Sequence, residues 1–318
     1  MRVAVLGAGA IGGFIAAMLA RKFSDVAVVA RGAHLEAIRS HGLRVQHSDA
    51  GSFTASVRAV ADLRELLPLD VVLLAVKAQQ LPAALEQVKP AIAAGVHFVT
   101  MQNGIPFWYF PERALRSVDP NGELRASFPQ AQIIGSVVHV SGHVVEPGTI
   151  AQSGGMRYIV GTPENGDPTV VDSIVRLFEE CGLAPERSVH IRKDIWNKML
   201  GNVSLNPVSA LTRFTIRPML QDDTLRALIA AMMREAITVA RSTGVHIEVM
   251  PEERIAYAAR LSDVKTSMLQ DVEAGRALEL EPIVGAVLEL ARDAHLCVPH
   301  LETVYALTKG LESSYLLE

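Results

Sequence analysis

A chain of 318 residues, 49% of them hydrophobic and 20% charged, can bury one large core or two moderate ones, and at ~150 residues per domain the length favours two. A net charge of −4 and a pI near 6.2 provide no basic footprint for nucleic acid, and ten scattered histidines show no ligand spacing such as HExxH for a metal. No apolar run approaches the ~18 residues of a membrane span, and Cys181 and Cys297, far apart in helical patterns, predict reduced core thiols in a cytoplasmic protein.

Met1-Arg2 and the apolar residues up to Ala20 have the outline of a signal peptide. Four glycines interrupt that stretch, however, and Arg21-Lys22 stand where a cleavage site would be, so it reads as folded chain. Arg2 to Leu6 is a short β-branched strand that runs into Gly7-Ala8-Gly9-Ala10-Ile11-Gly12 and a helix from Phe14 to Lys22. Strand, glycine turn and helix in this order make a dinucleotide-binding loop. Gly7 allows the tight turn, Gly9 lets a pyrophosphate approach the backbone, and Gly12 lets helix and strand pack closely, while the helix N-terminus faces the anion; Ala8, Ala10 and Ile11 complete the cofactor-binding loop.

A second strand, Asp25 to Ala30, ends at Arg31. An NAD site usually has an acid here for the ribose hydroxyls, whereas a guanidinium pairs with a 2′-phosphate, so Arg31 points to NADP unless it is simply a solvated residue after a strand. Asp70 to Val76 and Val96 to Met101 are continuous apolar runs of the kind found in parallel strands covered on both faces. They end in Lys77 and in Gln102-Asn103-Gly104. Ligands of doubly wound sheets bind at the carboxyl ends of strands, which places Lys77 and Asn103 beside the nicotinamide half of the cofactor. After Gly135 the texture changes: Val137 to Ser141, a Pro147-Gly148 turn, and Met156 to Gly161 read as antiparallel strands closing the sheet, followed by an amphipathic helix from Val170 to Cys181.

Strand signals cease near Ser188, and helical patterns occupy roughly 190–210, 219–242, 251–262, 266–274, 281–296 and 299–312. The expected architecture is an α/β N-terminal Rossmann-type dinucleotide-binding domain, 1–188, followed by an all-α C-terminal domain, 189–318. In the first of these helices Lys198, Asn202 and Asn206 recur every four residues on a segment otherwise rich in Trp, Met, Leu and Val. Residues at i, i+4 and i+8 drift only ~80° while rising ~12 Å, so all three share a face. A polar stripe on an apolar helix either meets a substrate or lies against solvent or an interface with ordinary hydrogen bonds. The apolar face of 225–240, with Leu225, Leu228, Ile229, Met232 and Ile237, is either core or the contact of a homodimer.

The set Gly7-x-Gly9-x-x-Gly12, Arg31, Val76-Lys77-Ala78, Gln102-Asn103-Gly104, Lys198-x3-Asn202-x3-Asn206-Pro207, Ser267-Met-Leu-Gln-Asp271 and Glu279 resembles the ketopantoate reductase family across nearly the whole chain. The resemblance implies NADPH-dependent reduction of 2-dehydropantoate to pantoate in pantothenate biosynthesis, in a cleft between the two domains. Lys198 would be the general acid, assisted by Glu279 near the lysine and the cofactor. Ser267 would hold the substrate carboxylate, while Asn103, Asn202 and Asn206 orient the substrate and Lys77 and the backbone around Ser141 contact NADP. The residues alone leave other roles open: Glu279 and Glu281 suit the first turn of a helix beginning near Pro282, and Ser267 suits a helix N-cap. Two positions depart from the family pattern: Ile216 stands where some members carry a substrate-binding asparagine, and Val284 replaces the asparagine usual after the glutamate. The alternatives are therefore a paralogue acting on another branched 2-oxo or 2-hydroxy acid, or a non-catalytic NADP-sensing module.

Overall fold

The run Val3–Leu6 forms β1, buried along its whole length, and the first half of the chain is built outward from it. The structure, a computed structural model, describes residues 1–48, 51–163, 166–260 and 263–316. On one side of β1 lie β2 (Val26–Val29) and β5 (Arg58–Val60), on the other β6 (Val71–Leu74) and β7 (His97–Thr100), all parallel. β1, β2 and β6 are buried at every residue, and β7 at all but His97, as expected of strands covered on both faces. Helix α1 (Ala10–Ala20), α2 (Gly32–His41) and α3 (Leu81–Ala93) make the crossovers.

The sheet departs from the expectation beyond β7. A long hairpin, β8 (Ile133–Glu146) and β9 (Thr149–Gly161), turns at Pro147-Gly148, but it does not close the sheet. β3 (Leu43–His47) runs parallel to β9, and β4 (Gly51–Ala55) forms the edge beyond it. β10 (Ala184–Arg187) also pairs with β9. A short helix, α4 (Glu123–Ser127), precedes the hairpin and α5 (Pro168–Glu180) follows it. Phe14, Ile15 and Leu19 of α1 and Ile174 and Phe178 of α5 are fully buried in one apolar cluster, each such side chain worth ~1.5–3 kcal/mol.

Contacts divide the chain into two units, residues 1–102, 108–113 and 122–191 in the first and 103–107, 114–121 and 192–318 in the second. The second is helical: α6 (Ile191–Thr212), α7 (Ile216–Gln221), α8 (Asp223–Ser242), α9 (Pro251–Arg260), α10 (Ser267–Glu273), a π-helical turn Glu281–Gly285, α11 (Ala286–Asp293) and α12 (Pro299–Leu316). The end of the helical pattern expected over 251–262 lies outside the described residues. Two stretches that precede 192 join this unit because their backbones are claimed by it. Ile105 N–H donates to Pro282 O at 2.9 Å, and the N–H groups of Arg116 and Ser117 donate to the Glu289 carboxylate at 2.8 and 2.9 Å. Gly104 is required there: its φ is +91°, and a Cβ would stand 2.3 Å from Pro282 O.

Ile229 and Met232 of α8 are core residues, while Leu225, Leu228 and Ile237 are half-buried. The two cysteines differ from the expected pair of core thiols. Cys181 is buried, and desolvation pushes its thiol up to about 11, whereas Cys297 is exposed in the connection between α11 and α12, where the chain has left the helix. Among the described residues no helix is long and apolar enough to cross a membrane, and no cluster of His, Cys, Asp or Glu has metal-site geometry.

Candidate active site

In the first unit a cavity of about 630 Å³ opens at the carboxyl ends of β1, β2 and β6, where the strand order reverses direction around β1. Gly7, Ala8 and Gly9 line it, as do Arg31 at the end of β2 and Val76 after β6. The glycines are held by different constraints. Gly7 has φ +106°, and a Cβ there would meet the Val76 backbone N at 2.9 Å; a Cβ on Gly12 would fall 1.9 Å from Gly7 O. These two shape the turn. Around Gly9 a Cβ would meet no protein atom within 4 Å, so the protein itself leaves that space open.

Gly9 is also the N-cap of α1 and makes no side-chain cap, which leaves the N–H groups of the first turn, including those of Ala10 and Ile11, available to an anion. Open space, uncapped amides and a guanidinium fit the phosphates of a dinucleotide. The loop is braced by His34: its Nδ1 accepts from Gly148 N–H at 2.9 Å, so Nε2 carries the proton and donates to Ala8 O at 2.8 Å. His34 was not singled out by sequence, where nothing marks a histidine three residues into α2 as a partner of the glycine loop.

Lys77 caps the 3₁₀ turn after β6, its N–H donating to Gln80 Oε1 at 3.2 Å, and is not among the residues lining the cavity. Ser141 is exposed on β8 opposite Gly154, in a stretch of shifted register, and does not line it either; Val144, Glu146 and Pro147 of the same hairpin do.

In the second unit α6 presents Lys198, Asn202 and Asn206 along one face, as their spacing requires. Lys198 Nζ donates to Asn103 Oδ1 at 2.7 Å, and Asn103 Nδ2 donates to Glu279 Oε2 at 3.0 Å. The carboxamide can stand only this way round, because an ammonium only donates and a carboxylate only accepts. Glu279 is buried at the end of the irregular connection, one residue before the helical Leu280, and its carbonyl accepts from Ile283 N–H at 3.3 Å, so it precedes the first turn. The helix-start role falls to its neighbour Glu281, which accepts from Tyr305 Oη at 2.8 Å and pairs with Lys309. Lys198 is pushed down to about 8: burial is the main cause, Arg254 adds to it, and Glu279 opposes it. An ammonium with this pKa gives up its proton readily near neutrality, the property of a general acid.

Asn206 is buried at 6% exposure and Asn202 partly so, and neither side chain makes a hydrogen bond among the described residues. The polar atoms of neither carboxamide are among those buried without a partner, so both remain accessible to the polar groups of a ligand. Ser267 is exposed at the first residue of α10 and is not its cap; that role belongs to Thr266, whose Oγ1 accepts from Leu269 N–H at 3.2 Å. Ile216 opens α7 half-buried, and Val284 is fully buried in the π-helical turn, so the latter fills core.

Arg254 of α9 was missed by sequence. Its guanidinium lies over Gly201 of α6, where a Cβ would come within 3.0 Å of Nη2, and its Nε is buried with no hydrogen-bond partner among the described residues.

Comparison with known proteins agrees across the whole chain. The family described as "Ketopantoate reductase PanE/ApbA" matches residues 3–165, and "Ketopantoate reductase PanE/ApbA C terminal" matches residues 190–312. A 2-dehydropantoate 2-reductase of Mesorhizobium japonicum is 41% identical over 98% of both chains. A solved structure of a 2-dehydropantoate 2-reductase from Geobacter metallireducens superposes with a TM-score of 0.87 at 26% identity, over 98% of this chain and 99% of that one. A D-mandelate dehydrogenase solved with NADH and anilino(oxo)acetate shares the fold, with a TM-score of 0.87 at 20% identity over 99% of this chain and all of that one.

Proposed function

Since the chain belongs to the ketopantoate reductase family and is an oxidoreductase, we propose that it reduces 2-dehydropantoate to pantoate with NADPH, as a cytoplasmic enzyme of pantothenate biosynthesis. The observation that carries this reading is the chain of hydrogen bonds Lys198, Asn103, Glu279. A ketone that receives hydride becomes an alkoxide, and its oxygen must be neutralised as the charge forms. Reduced nicotinamide, when bound, supplies the hydride. Lys198 supplies the proton from Nζ to the former carbonyl oxygen, and its lowered pKa makes that transfer favourable near neutral pH.

Asn103 aims the ammonium by accepting one of its three hydrogens, which leaves the other two for the substrate. Glu279 acts through Asn103 and through its charge, keeping the buried ammonium protonated against the cost of desolvation. Asn202 and Asn206, one and two turns along α6, offer carboxamides to the substrate's polar groups, and Ser267 adds a hydroxyl for its carboxylate. On the cofactor side residues 1–188, apart from the stretches 103–107 and 114–121 that join the helical unit, form the NADP-binding domain, and 189–318 with those stretches form the substrate domain. Gly7 to Gly12 and the start of α1 receive the pyrophosphate, Arg31 takes the 2′-phosphate, and Lys77, Asn103, Ser141 and Glu279 contribute at the nicotinamide end.

A second reading is favoured by Ile216: it has no amide for a terminal hydroxyl, so the preferred substrate would be another branched 2-oxo acid. Following NADPH oxidation across a panel of 2-oxo acids that includes ketopantoate, 2-oxoisovalerate and pyruvate separates the two readings. Fastest turnover of ketopantoate supports the first, and a preference for hydrocarbon side chains supports the second. No turnover of any 2-oxo acid would leave only a non-catalytic NADP-sensing module.

A further inference from the structure

We propose that Arg254 is the carboxylate receptor of the second unit: its guanidinium, seated over Gly201 beside Lys198, forms the ion pair with the carboxylate of a 2-oxo monocarboxylic acid. This inference rests on the reductase reading and adds the anchor that sets the substrate's orientation.

Three observations converge on it. Lys198 and Gly201 are neighbours on α6 at i and i+3, and the guanidinium lies over the Gly201 side of the lysine, with Asn202 at i+4 flanking the lysine on its other side. The glycine makes the room, since any side chain there would meet Nη2. Among the described residues the guanidinium also pairs with no carboxylate. Its Nε is buried and unbonded, and its one described neighbour of complementary character is the ring of Tyr257, 5.3 Å from the guanidinium carbon. The acids beside it in sequence are committed elsewhere, Glu252 to Arg234 at 2.8 Å and Glu253 to the N–H of Met250 at 3.1 Å. A desolvated guanidinium in this position is costly unless a carboxylate comes to it.

Charge balance gives the class of ligand. Lys198 and Arg254 repel each other, and Glu279 neutralises one of the two. The remaining positive charge matches a monoanion. A hydroxyl such as that of Ser267 gives a carboxylate one neutral hydrogen bond, whereas a guanidinium gives a charge-assisted fork. With the carboxylate on Arg254, the adjoining carbonyl carbon and oxygen are directed along α6 toward Lys198.

The test compares ketopantoate with its primary amide, which keeps the shape and removes the charge. In Arg254→Met the KM for the acid should rise roughly 10- to 100-fold, with the loss falling on KM more than on kcat. The preference for acid over amide in kcat/KM should collapse by the same factor. Arg254→Lys should recover part of both, because the charge returns without the fork. Gly201→Ala, which displaces the guanidinium while leaving it charged, should move both in the same direction by a smaller factor, and it serves should Arg254→Met fail to fold. Removing the neighbouring positive charge should also shift the alkaline limb of the wild-type profile, near pH 8, to higher pH. NADPH affinity, followed by fluorescence, should stay within twofold. An unchanged acid-to-amide preference in folded variants, or a loss of NADPH affinity equal to the loss in KM, overturns the assignment and leaves the reductase reading standing. No turnover of any 2-oxo acid by the wild type overturns both.

Discussion

Glu279→Gln isolates the electrostatic part of the site, because the amide keeps the carboxylate's shape and can still accept the 3.0 Å bond from Asn103 Nδ2 through its own oxygen. What it removes is a negative charge one carboxamide away from the Lys198 ammonium. That charge raises the lysine, while burial and Arg254 lower it to a net value of about 8. A nearby opposite charge is typically worth one pH unit or more, so the variant's ammonium should lose its proton at about pH 7 or below. General acid catalysis needs the protonated form, and activity is therefore lost as pH rises through this value. At pH 6 nearly all the lysine is protonated in the wild type and most of it in the variant, so kcat/KM should differ by about twofold or less on this account. At pH 8 half of the wild-type lysine but only about a tenth of the variant's is protonated, a further loss of about fivefold. The assay is kcat/KM for NADPH oxidation from pH 5.5 to 9.5, with deuterated NADPH to confirm that hydride transfer limits the rate. A limb that stays near pH 8 in the variant, or a loss that is equal at every pH, would refute the role given to Glu279.

Arg31→Ala should weaken NADPH binding roughly 10- to 150-fold and leave NADH nearly unchanged, the value of a charge-assisted bond to the 2′-phosphate; equal losses in fluorescence titrations would show that Arg31 does not read it. Lys198→Met should lower kcat by ~10²–10⁴ while NADPH still binds. Its effect on stability has a defined sign with pH. The folded lysine titrates near 8 and the unfolded one near 10.4, so the wild type carries the full cost of the buried charge below pH 8 and sheds it as pH rises to about 10.4. Urea unfolding at pH 7.5 and pH 10 should show the wild type gaining on the variant by at most about 3 kcal/mol, and no gain would contradict the burial argument. Wild type should favour ketopantoate over 2-oxoisovalerate by at least ~10-fold in kcat/KM, and Asn202→Ala or Asn206→Ala should shrink that ratio; a wild-type ratio near one assigns Ile216 to an apolar substrate pocket.

What could be read from the sequence followed the range of the interaction. The glycine loop is local: a strand, three spaced glycines and a helix determine each other within about a dozen residues, and Gly7 and Gly12 occupy the turn and the close approach their positions imply. The buried strands were legible because they are apolar at nearly every residue. β3, β4 and β10 were not. Leu43–His47 and the edge strand Gly51–Ala55 mix polar and apolar residues and show no continuous apolar run, and Ala-Pro-Glu-Arg at 184–187 carries no strand pattern at all; it pairs because β9 is there to receive it. The same reason moved 103–107 and 114–121 into the helical unit. Their place is set by Pro282 and Glu289, more than 170 residues further on, and no window of sequence contains both partners.

The candidate site divides along the same line. The Lys198, Asn202, Asn206 stripe could be read because helical geometry relates residues four apart, but Asn103 meets Lys198 from 95 residues away and was placed only by its position after a strand. Arg254 left no mark of its own, since Glu-Glu-Arg-Ile at a helix start looks like any solvated first turn. The mark lies instead on α6. Gly201 sits buried in the interior of a 22-residue helix, where glycine is worse than alanine by ~1 kcal/mol, and no turn or left-handed backbone asks for it. A glycine in that position needs a packing reason, and the guanidinium 3.0 Å from the place of its missing Cβ is that reason. Alanine at 201 would improve helix propensity while pushing the guanidinium aside. A Gly201→Ala protein whose helix is no less stable but whose KM for the acid is raised would therefore separate the needs of the fold from those of the ligand.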